Sequence, residues 1–406
     1  METDAIIVGG GLVGQTLALA LAAHGLSSAV VERADPDSHL AAGVDGRASA
    51  VASASARMLG ALGLGAFLAR EGCAIRAIRV TEGLRPGGVH FEPPETDDSP
   101  LGIMVSNQAL RAALLERVRA EPRIALHAPA SVEAIDRGPG RVTVALTGGP
   151  VLSAPVLIGA DGRRSAIRQG AGIRVAAWRY PACGVVTMLA HARPHGHVAS
   201  EIFYPTGPFA ILPMNDLPDG RHRSALVWTV PAHAAPGVAQ LGPRALACEV
   251  EARMGRMLGP VELVAPVEVW PLGFHHAERY VAGRLALAGD AAHGIHPIAG
   301  QGLNLGWRDV AALAQVLAEA ARIGLDLGDP AVLARYERWR RLDNGLVAMA
   351  TDGLARLFGI PGRPAAAVRH LGLRIVDRIG PLKRLFMAEA RGEAGDLPAL
   401  LRGELA

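Results

Sequence analysis

Two glycine-rich runs, far apart in the chain, carry residue types that hold a phosphorylated cofactor. The first is Gly9-Gly10-Gly11-Leu12-Val13-Gly14, answered by Glu32. The second is Gly289-Asp290-Ala291-Ala292-His293-Gly294-Ile295-His296-Pro297, running on to Gly300-Gln301-Gly302-Leu303-Asn304. In the first, Gly9 permits a tight turn, Gly11 lets a pyrophosphate reach the backbone, and Gly14 lets a helix pack on the preceding strand. A helix beginning near Leu12 points its free N–H groups at the phosphates. Glu32 has the spacing of a carboxylate that accepts from ribose hydroxyls, with Arg33 beside it. In the second run, Asp290 arrives at the carboxyl end of a strand, where a carboxylate can hold a polyol hydroxyl. Gly300 and Gly302 open a helix whose free backbone N–H groups suit a ring edge that turns negative on reduction. The two ends together specify FAD, one gripping adenosine and pyrophosphate, the other the ribityl chain and ring.

Two weaker motifs join them. Gly159-Ala160-Asp161-Gly162-Arg163-Arg164-Ser165 follows an apolar run and is either a cofactor contact at Asp161 and Gly162 or an ordinary Asp-Gly turn. Asp45-Gly46-Arg47 either sets a guanidinium against the cofactor or is a surface turn. His293 and His296 have the spacing of a metal pair, but no further ligand cluster accompanies them, and Gly294 and Pro297 oppose a helix there. No Gly-x-Ser-x-Gly elbow supports acyl transfer.

The elements that must position these motifs are α/β. Asp4 to Val8 reads as a strand buried on both faces, and Leu12 to His24 as its helix, ended by Gly25. Ala29 to Val31 reads as the second strand, Ala50 to Leu68 as a helical piece, and Gln108 to Arg119 as a helix. Pro155 to Asp161 and Arg284 to Asp290 are further strands. From about 178 to 270 short apolar strands alternate with Pro- and His-rich turns, which predicts an inserted antiparallel sheet. The expected fold is a Rossmann-like FAD-binding domain with a parallel sheet, an antiparallel substrate sheet and a helical C-terminal region. The expected division is 1–72, 100–177 and 271–330 for FAD, 73–99 and 178–270 for substrate, and 331–406 helical.

At 406 residues the chain can hold a large core. Half the residues are hydrophobic but only 4% aromatic, so packing rests on small aliphatic side chains. A net charge of +3 gives no ground for a nucleic-acid partner. Cys73, Cys183 and Cys248 form neither a metal pattern nor a disulfide framework, which fits a reducing cytoplasm. The uncharged stretch from Ala5 to Val31 is long enough to mimic a membrane span, but its glycines, Gln15 and His24 argue against one. Glu2 and Asp4 stand where a signal peptide would carry basic residues.

These motifs resemble the single-component aromatic-ring flavoprotein monooxygenases of the para-hydroxybenzoate hydroxylase fold, and within them the ubiquinone-biosynthesis hydroxylases. The match runs from Gly289 to His293, from His296 to Gly306, and on to Arg308-Asp309. Tyr336 to Arg341 with Asp343-Asn344, and Leu382 to Met387, resemble the same subgroup. The resemblance covers nearly the whole chain and is weakest from about 178 to 265. It implies that Glu32 binds the adenosine ribose, that Arg47 contacts the cofactor, and that Asn107 or Arg111 supplies another polar contact. It implies that Asp161 and Gly162 serve both FAD and a nicotinamide donor. Asp290 would bind the ribityl chain, Leu303 and Asn304 the ring edge, and Pro297 would line the ring face. The run after Arg47 is smaller and more polar than the family's, and the tyrosines that activate phenol in the para-hydroxybenzoate enzyme have no counterpart.

The implied reaction inserts one oxygen atom of O2 into the ring of a polyprenylated phenol or quinol in ubiquinone biosynthesis, through a flavin C4a-hydroperoxide. NAD(P)H or reduced ferredoxin would be the electron donor. No residue is singled out as general base. An insoluble substrate tail suggests a peripheral site on the inner face of the cell membrane, or docking into a biosynthetic complex, through residues 369–391. There Arg369, Arg374, Lys383 and Arg384 alternate with apolar residues; the alternative is a packing helix. A hydroxylase of a soluble phenolic compound and a non-catalytic flavoprotein subunit are the rival readings.

Overall fold

The computed structural model describes residues 1–40, 46–84, 88–93, 99–255, 257–296, 300–359 and 379–405. Its first layer is a five-stranded sheet in the order Leu285–Leu287, Val156–Gly159, Ala5–Val8, Ser28–Val31, Ile124–His127. All neighbours are parallel. Ile6, Ile7, Val30 and Ile158 are buried, as parallel strands covered on both faces require. The helices Leu12–Ala23 and Gly302–Arg322 pack on each other against this sheet. Trp307 and Tyr336 fill the core around them.

The second layer is a nine-stranded sheet. Its main path runs His293–Gly294, Glu268–Ala277, Val175–His191, His222–Pro231, Gly207–Met214, Val198–Tyr204, Ala77–Glu82, Val89–Phe91. Its ladders are antiparallel except one. Val198–Tyr204 pairs parallel with Ala77–Glu82, because the latter strand comes from an earlier, separate part of the chain. Two of its strands, Val175–His191 and Glu268–Ala277, run across the boundaries expected at 177/178 and 270/271. Helix Pro243–Met254 covers the outer face, burying Leu246, Val250 and Met254 against Val185, Leu226 and Trp228.

The expected architecture of parallel sheet, largely antiparallel second sheet and helical C-terminal region is present, with two local differences. The helical piece starts at Ser53, not Ala50. Ala48–Ala52 is a strand, held in a three-stranded sheet by Gly102–Ser106. The helices within 235–254 were not anticipated from sequence, because Pro236 and Pro243 read as turn signals; both sit in a first helical turn, where proline is tolerated. The C-terminal region holds the helices Pro330–Gly359, Gly380–Ala390 and Ala399–Arg402.

Candidate functional site

At the nucleotide end the first fingerprint is a turn that only glycine can make. Gly9 has φ +112°, and a Cβ there would stand 2.2 Å from the Ala160 carbonyl oxygen. A Cβ on Gly14 would stand 1.8 Å from the Gly9 oxygen. At Gly11, by contrast, a Cβ would meet only open space. The helix it opens has no side chain capping its N-terminus, so its first N–H groups remain available. Glu32 is tied to this turn: its Oε2 accepts from the Gly10 N–H at 2.7 Å and its Oε1 from the Ala34 N–H at 2.9 Å. A cleft beside it is lined by Gly10, Gln15, Glu32, Leu40, Arg111 and Leu115. The structure therefore brings Arg111 to Glu32, while Arg33 is exposed beyond the cleft.

Asp161 follows the strand next to Ala5–Val8. Its Oδ2 accepts from the Ile167 N–H at 3.2 Å, and its Oδ1 is buried without a partner. Gly162 has φ +80° and open space where a Cβ would lie. Arg168, which sequence reasoning missed, is buried and donates to the Ala291 carbonyl at 2.8 Å and the Arg163 carbonyl at 3.0 Å. It ties this turn to the one bearing Asp290. Nothing local in the sequence marks it, since the tie spans 123 positions.

At the ring end, Leu285–Leu287 leads into a short turn of 3-10 helix, Gly289–Ala291. Gly289 has φ +60°, and the Asp290 side chain is exposed beyond it. The Gly289 N–H donates to Asp309 Oδ2 at 3.0 Å, and His293 Nε2 lies 2.6 Å from the same oxygen. Asp309 Oδ1 accepts from Arg340 Nε and Asn344 Nδ2. Burial pushes this carboxyl up, but the charge and hydrogen bond of His293, with Arg340 and Asn344, bring it down to about 2. Val13 fills the space between Gly289 and Gly306, either of which would strike it with a Cβ. The nucleotide turn, the Asp290 turn and the second helix are thus interlocked.

Gly300 has φ +61°, and Gly302 begins its helix with open space where a Cβ would lie and no side-chain cap. The side chain of Asn304 is engaged within the chain. Its Oδ1 accepts from Ala52 N–H and its Nδ2 donates to the Ala50 carbonyl, both at 2.9 Å, so it clamps the strand Ala48–Ala52. Leu303 packs at the edge of the main core. Pro297 and Asp45 lie outside the described residues. Arg47 is half-buried, with its guanidinium 5.1 Å from the Trp270 ring centroid. Next to it the Gly46 N–H donates to Glu268 Oε1 at 2.9 Å. His296 is buried against Tyr180, and burial holds its imidazole down at about 4, against the opposing pull of Asp352.

These features fit FAD. Gly11, Gly162 and Gly302 each leave open space where a Cβ would lie, two helix N-termini are uncapped, and Asp161 Oδ1 is buried without a donor.

A family model, the FAD binding domain, matches residues 2–348. The chain is 46% identical over 403 residues to ubiquinone hydroxylase UbiL of Rhodospirillum rubrum, covering 98% of this chain and 92% of the relative. It is 36% identical over 392 residues to 3-demethoxyubiquinol 3-hydroxylase of Escherichia coli, covering 96% and 98%. The crystal structure of PqsL, a probable FAD-dependent monooxygenase of Pseudomonas aeruginosa, superposes with TM-score 0.74 at 26% identity over 88% of this chain and 97% of that one. p-Nitrophenol 4-monooxygenase PnpA of Pseudomonas putida shares the fold, with TM-score 0.78 at 19% identity over 97% and 100%. The chain belongs to the FAD-dependent monooxygenase family of ubiquinone biosynthesis.

Proposed function

We propose that this protein hydroxylates the aromatic ring of a polyprenylated phenol or quinol on the way to ubiquinone, using FAD, O2 and NAD(P)H or reduced ferredoxin. One observation carries the reading most. The strand Ala48–Ala52 packs on one face of the nine-stranded sheet and is clamped by Asn304 of the uncapped Gly302 helix, so a ring on that face lies near the ring-edge motif. The bound flavin supplies the activation of oxygen. The chain supplies grip and orientation. Gly9, Gly11 and Gly14 take the pyrophosphate, Glu32 and Arg111 the adenosine end with Arg33 at the rim, and Asp161 with Gly162 the middle. Asp290 holds the ribityl chain. Gly300, Gly302, Leu303 and the Asn304 backbone offer N–H groups to the ring edge, where they stabilise negative charge. Arg47, beside Trp270, contacts the cofactor, and the ring-face role goes to Pro297, which lies outside the described residues.

The tail supports docking at a membrane surface. Among the described residues no helix is long and apolar enough to cross a membrane. Yet Leu342, Leu346 and Met349 of the helix Pro330–Gly359 and Leu385 and Phe386 of the helix Gly380–Ala390 expose apolar side chains, the latter beside Lys383 and Arg384. Arg369 and Arg374 lie outside the described residues.

Deleting the gene and following quinone intermediates by mass spectrometry tests the reading. A prenylated precursor lacking one ring oxygen is expected; an unchanged quinone profile rejects it. A soluble aromatic substrate is the second reading, favoured by the likeness to PqsL, which has been crystallised with 2-aminobenzoylacetate. Turnover assays with and without a prenyl tail separate the two.

A further inference from the structure

Glu201 lies on the strand Val198–Tyr204 between Ser200 and Ile202. Ile202 packs outward with Phe209, Ile211, Leu226 and Trp228, under the helix Pro243–Met254. Side chains alternate along a strand, so Glu201 projects from the other face. That face carries Ala199, Leu212, Met214 and Ala225, which pack with Ala48 and Ala50 of the strand that Asn304 clamps. Glu201 therefore looks toward the cofactor half of the molecule.

Strand register places it in a continuous row. Glu268 is opposite Val186, Val186 opposite Val227, Val227 opposite Ala210, Ala210 opposite Glu201, and Glu201 opposite Val80. Between the two acids no side chain is larger than valine. Val186, Val227 and Ala210 lie on three neighbouring strands that together span about 10 Å, the width of a substituted aromatic ring. The two acids differ in one respect. Glu268 is held on both oxygens, by the Gly46 N–H and the Trp270 indole N–H. Among the described residues nothing hydrogen-bonds to the Glu201 carboxyl. Glu201 is half-buried among apolar strand neighbours, and a carboxyl left unpartnered there is costly, so its partner is sought outside the chain.

We propose that Glu201 is a catalytic residue, the group that receives the ring hydroxyl of the substrate and takes its proton. This rests on the reading of the substrate as a phenol. The step is proton transfer alone. The hydroxyl O–H bond breaks, the proton bonds to a carboxylate oxygen, and the electron pair stays on the ring oxygen, enriching the ring carbons that oxygen attacks. Burial also pushes the Glu201 carboxyl up to about 8. A phenol titrates near ~10, so the mismatch against the hydroxyl falls to about 2 units, close enough for efficient transfer.

The test uses FAD-loaded wild type, Glu201→Gln and Glu201→Leu, with a short-tailed prenylphenol and its methyl ether. Dissociation constants are read from the flavin absorbance, and product is measured per donor oxidised. Wild type should bind the phenol roughly tenfold more tightly than the ether, the worth of about one hydrogen bond. Glu201→Leu should abolish that preference while its affinity for the ether holds. Glu201→Gln accepts the hydrogen bond but not the proton, so it should keep the preference and lose about tenfold or more in product per donor. Unchanged product yield in Glu201→Gln, or an unchanged preference in Glu201→Leu, overturns the proposal. If Glu201→Leu does not fold, the near-isosteric Gln variant decides through product yield. A wild type that hydroxylates no phenol rejects the parent reading and the proposal with it; a wild type that does, matched by Glu201→Gln, rejects the proposal alone.

Discussion

His293 Nε2 lies 2.6 Å from Asp309 Oδ2, and the two side chains are 2% and 0% exposed. The same oxygen fixes the Gly289 N–H. One carboxylate on the Gly302–Arg322 helix therefore sets the turn that presents Asp290, and His293 is a structural partner of that carboxylate.

Removing this carboxylate should be severe. Asp309→Ala takes one of two carboxylates from buried Arg340, leaving Asp343, and strands the buried His293 ring and the Gly289 N–H; it is expected to cost about 3–5 kcal/mol, read by urea denaturation. A loss under ~1 kcal/mol would show that the network closes without it.

The same group sets an acid limit. Asp309 titrates at about 2 in the folded protein, below its ordinary 3.8. A depressed carboxyl contributes stability that is complete above about pH 4 and is lost as pH falls through 2. The contribution is on the order of 2 kcal/mol. The stability difference between wild type and Asp309→Asn should shrink across that window. A difference flat from pH 5 to 2 contradicts the assignment.

The cofactor grip should be separable from the fold. The purified protein is expected to be yellow, with about one FAD bound noncovalently. Asp290→Ala removes an exposed, charge-assisted contact, typically about 1.5–3 kcal/mol, or roughly 10- to 150-fold in FAD affinity. Gly11→Val should block the pyrophosphate while the fold holds, because its side chain enters open space. Gly14→Ala should instead fail to fold, since its Cβ meets a backbone oxygen. Near-normal FAD affinity in the first two variants means the turns are structural only.

Replacing Arg369, Arg374, Lys383 and Arg384 with Gln should weaken binding to anionic liposomes, by roughly 1 kcal/mol for each basic residue near the surface, and slow turnover of long-tailed substrate. FAD content and turnover of a short-tailed analogue should hold. Liposome binding equal to wild type assigns the segment to packing.

The glycine turns were legible in the sequence because their demands are local: Gly9, Gly11 and Gly14 act within six residues, and Glu32 follows at fixed strand spacing. What stayed hidden is nonlocal. Asn304 reads as a ring-edge residue, yet its amide clamps Ala50 and Ala52, more than 250 positions away. Arg168 and Arg340 look like solvated charges until folding buries them against Ala291 and Asp309. Glu201 is one acid in an apolar alternation, and only its register with Ala210 and Val80 shows which face it serves.

The five-stranded sheet has a consequence for how the protein is made. Ala5–Val8 leaves the ribosome first, but its neighbour Val156–Gly159 follows much later, and the edge strand Leu285–Leu287 later still. At typical elongation rates the nascent chain waits on the order of tens of seconds with its nucleotide-binding strands unpaired along one side. Until Gly289 and Gly306 emerge, Val13 has nothing to lock against. The cofactor site is therefore completed only once residue 306 has emerged, and a chain stopped before residue 285 would present an open, apolar strand edge to chaperones and to other copies of itself.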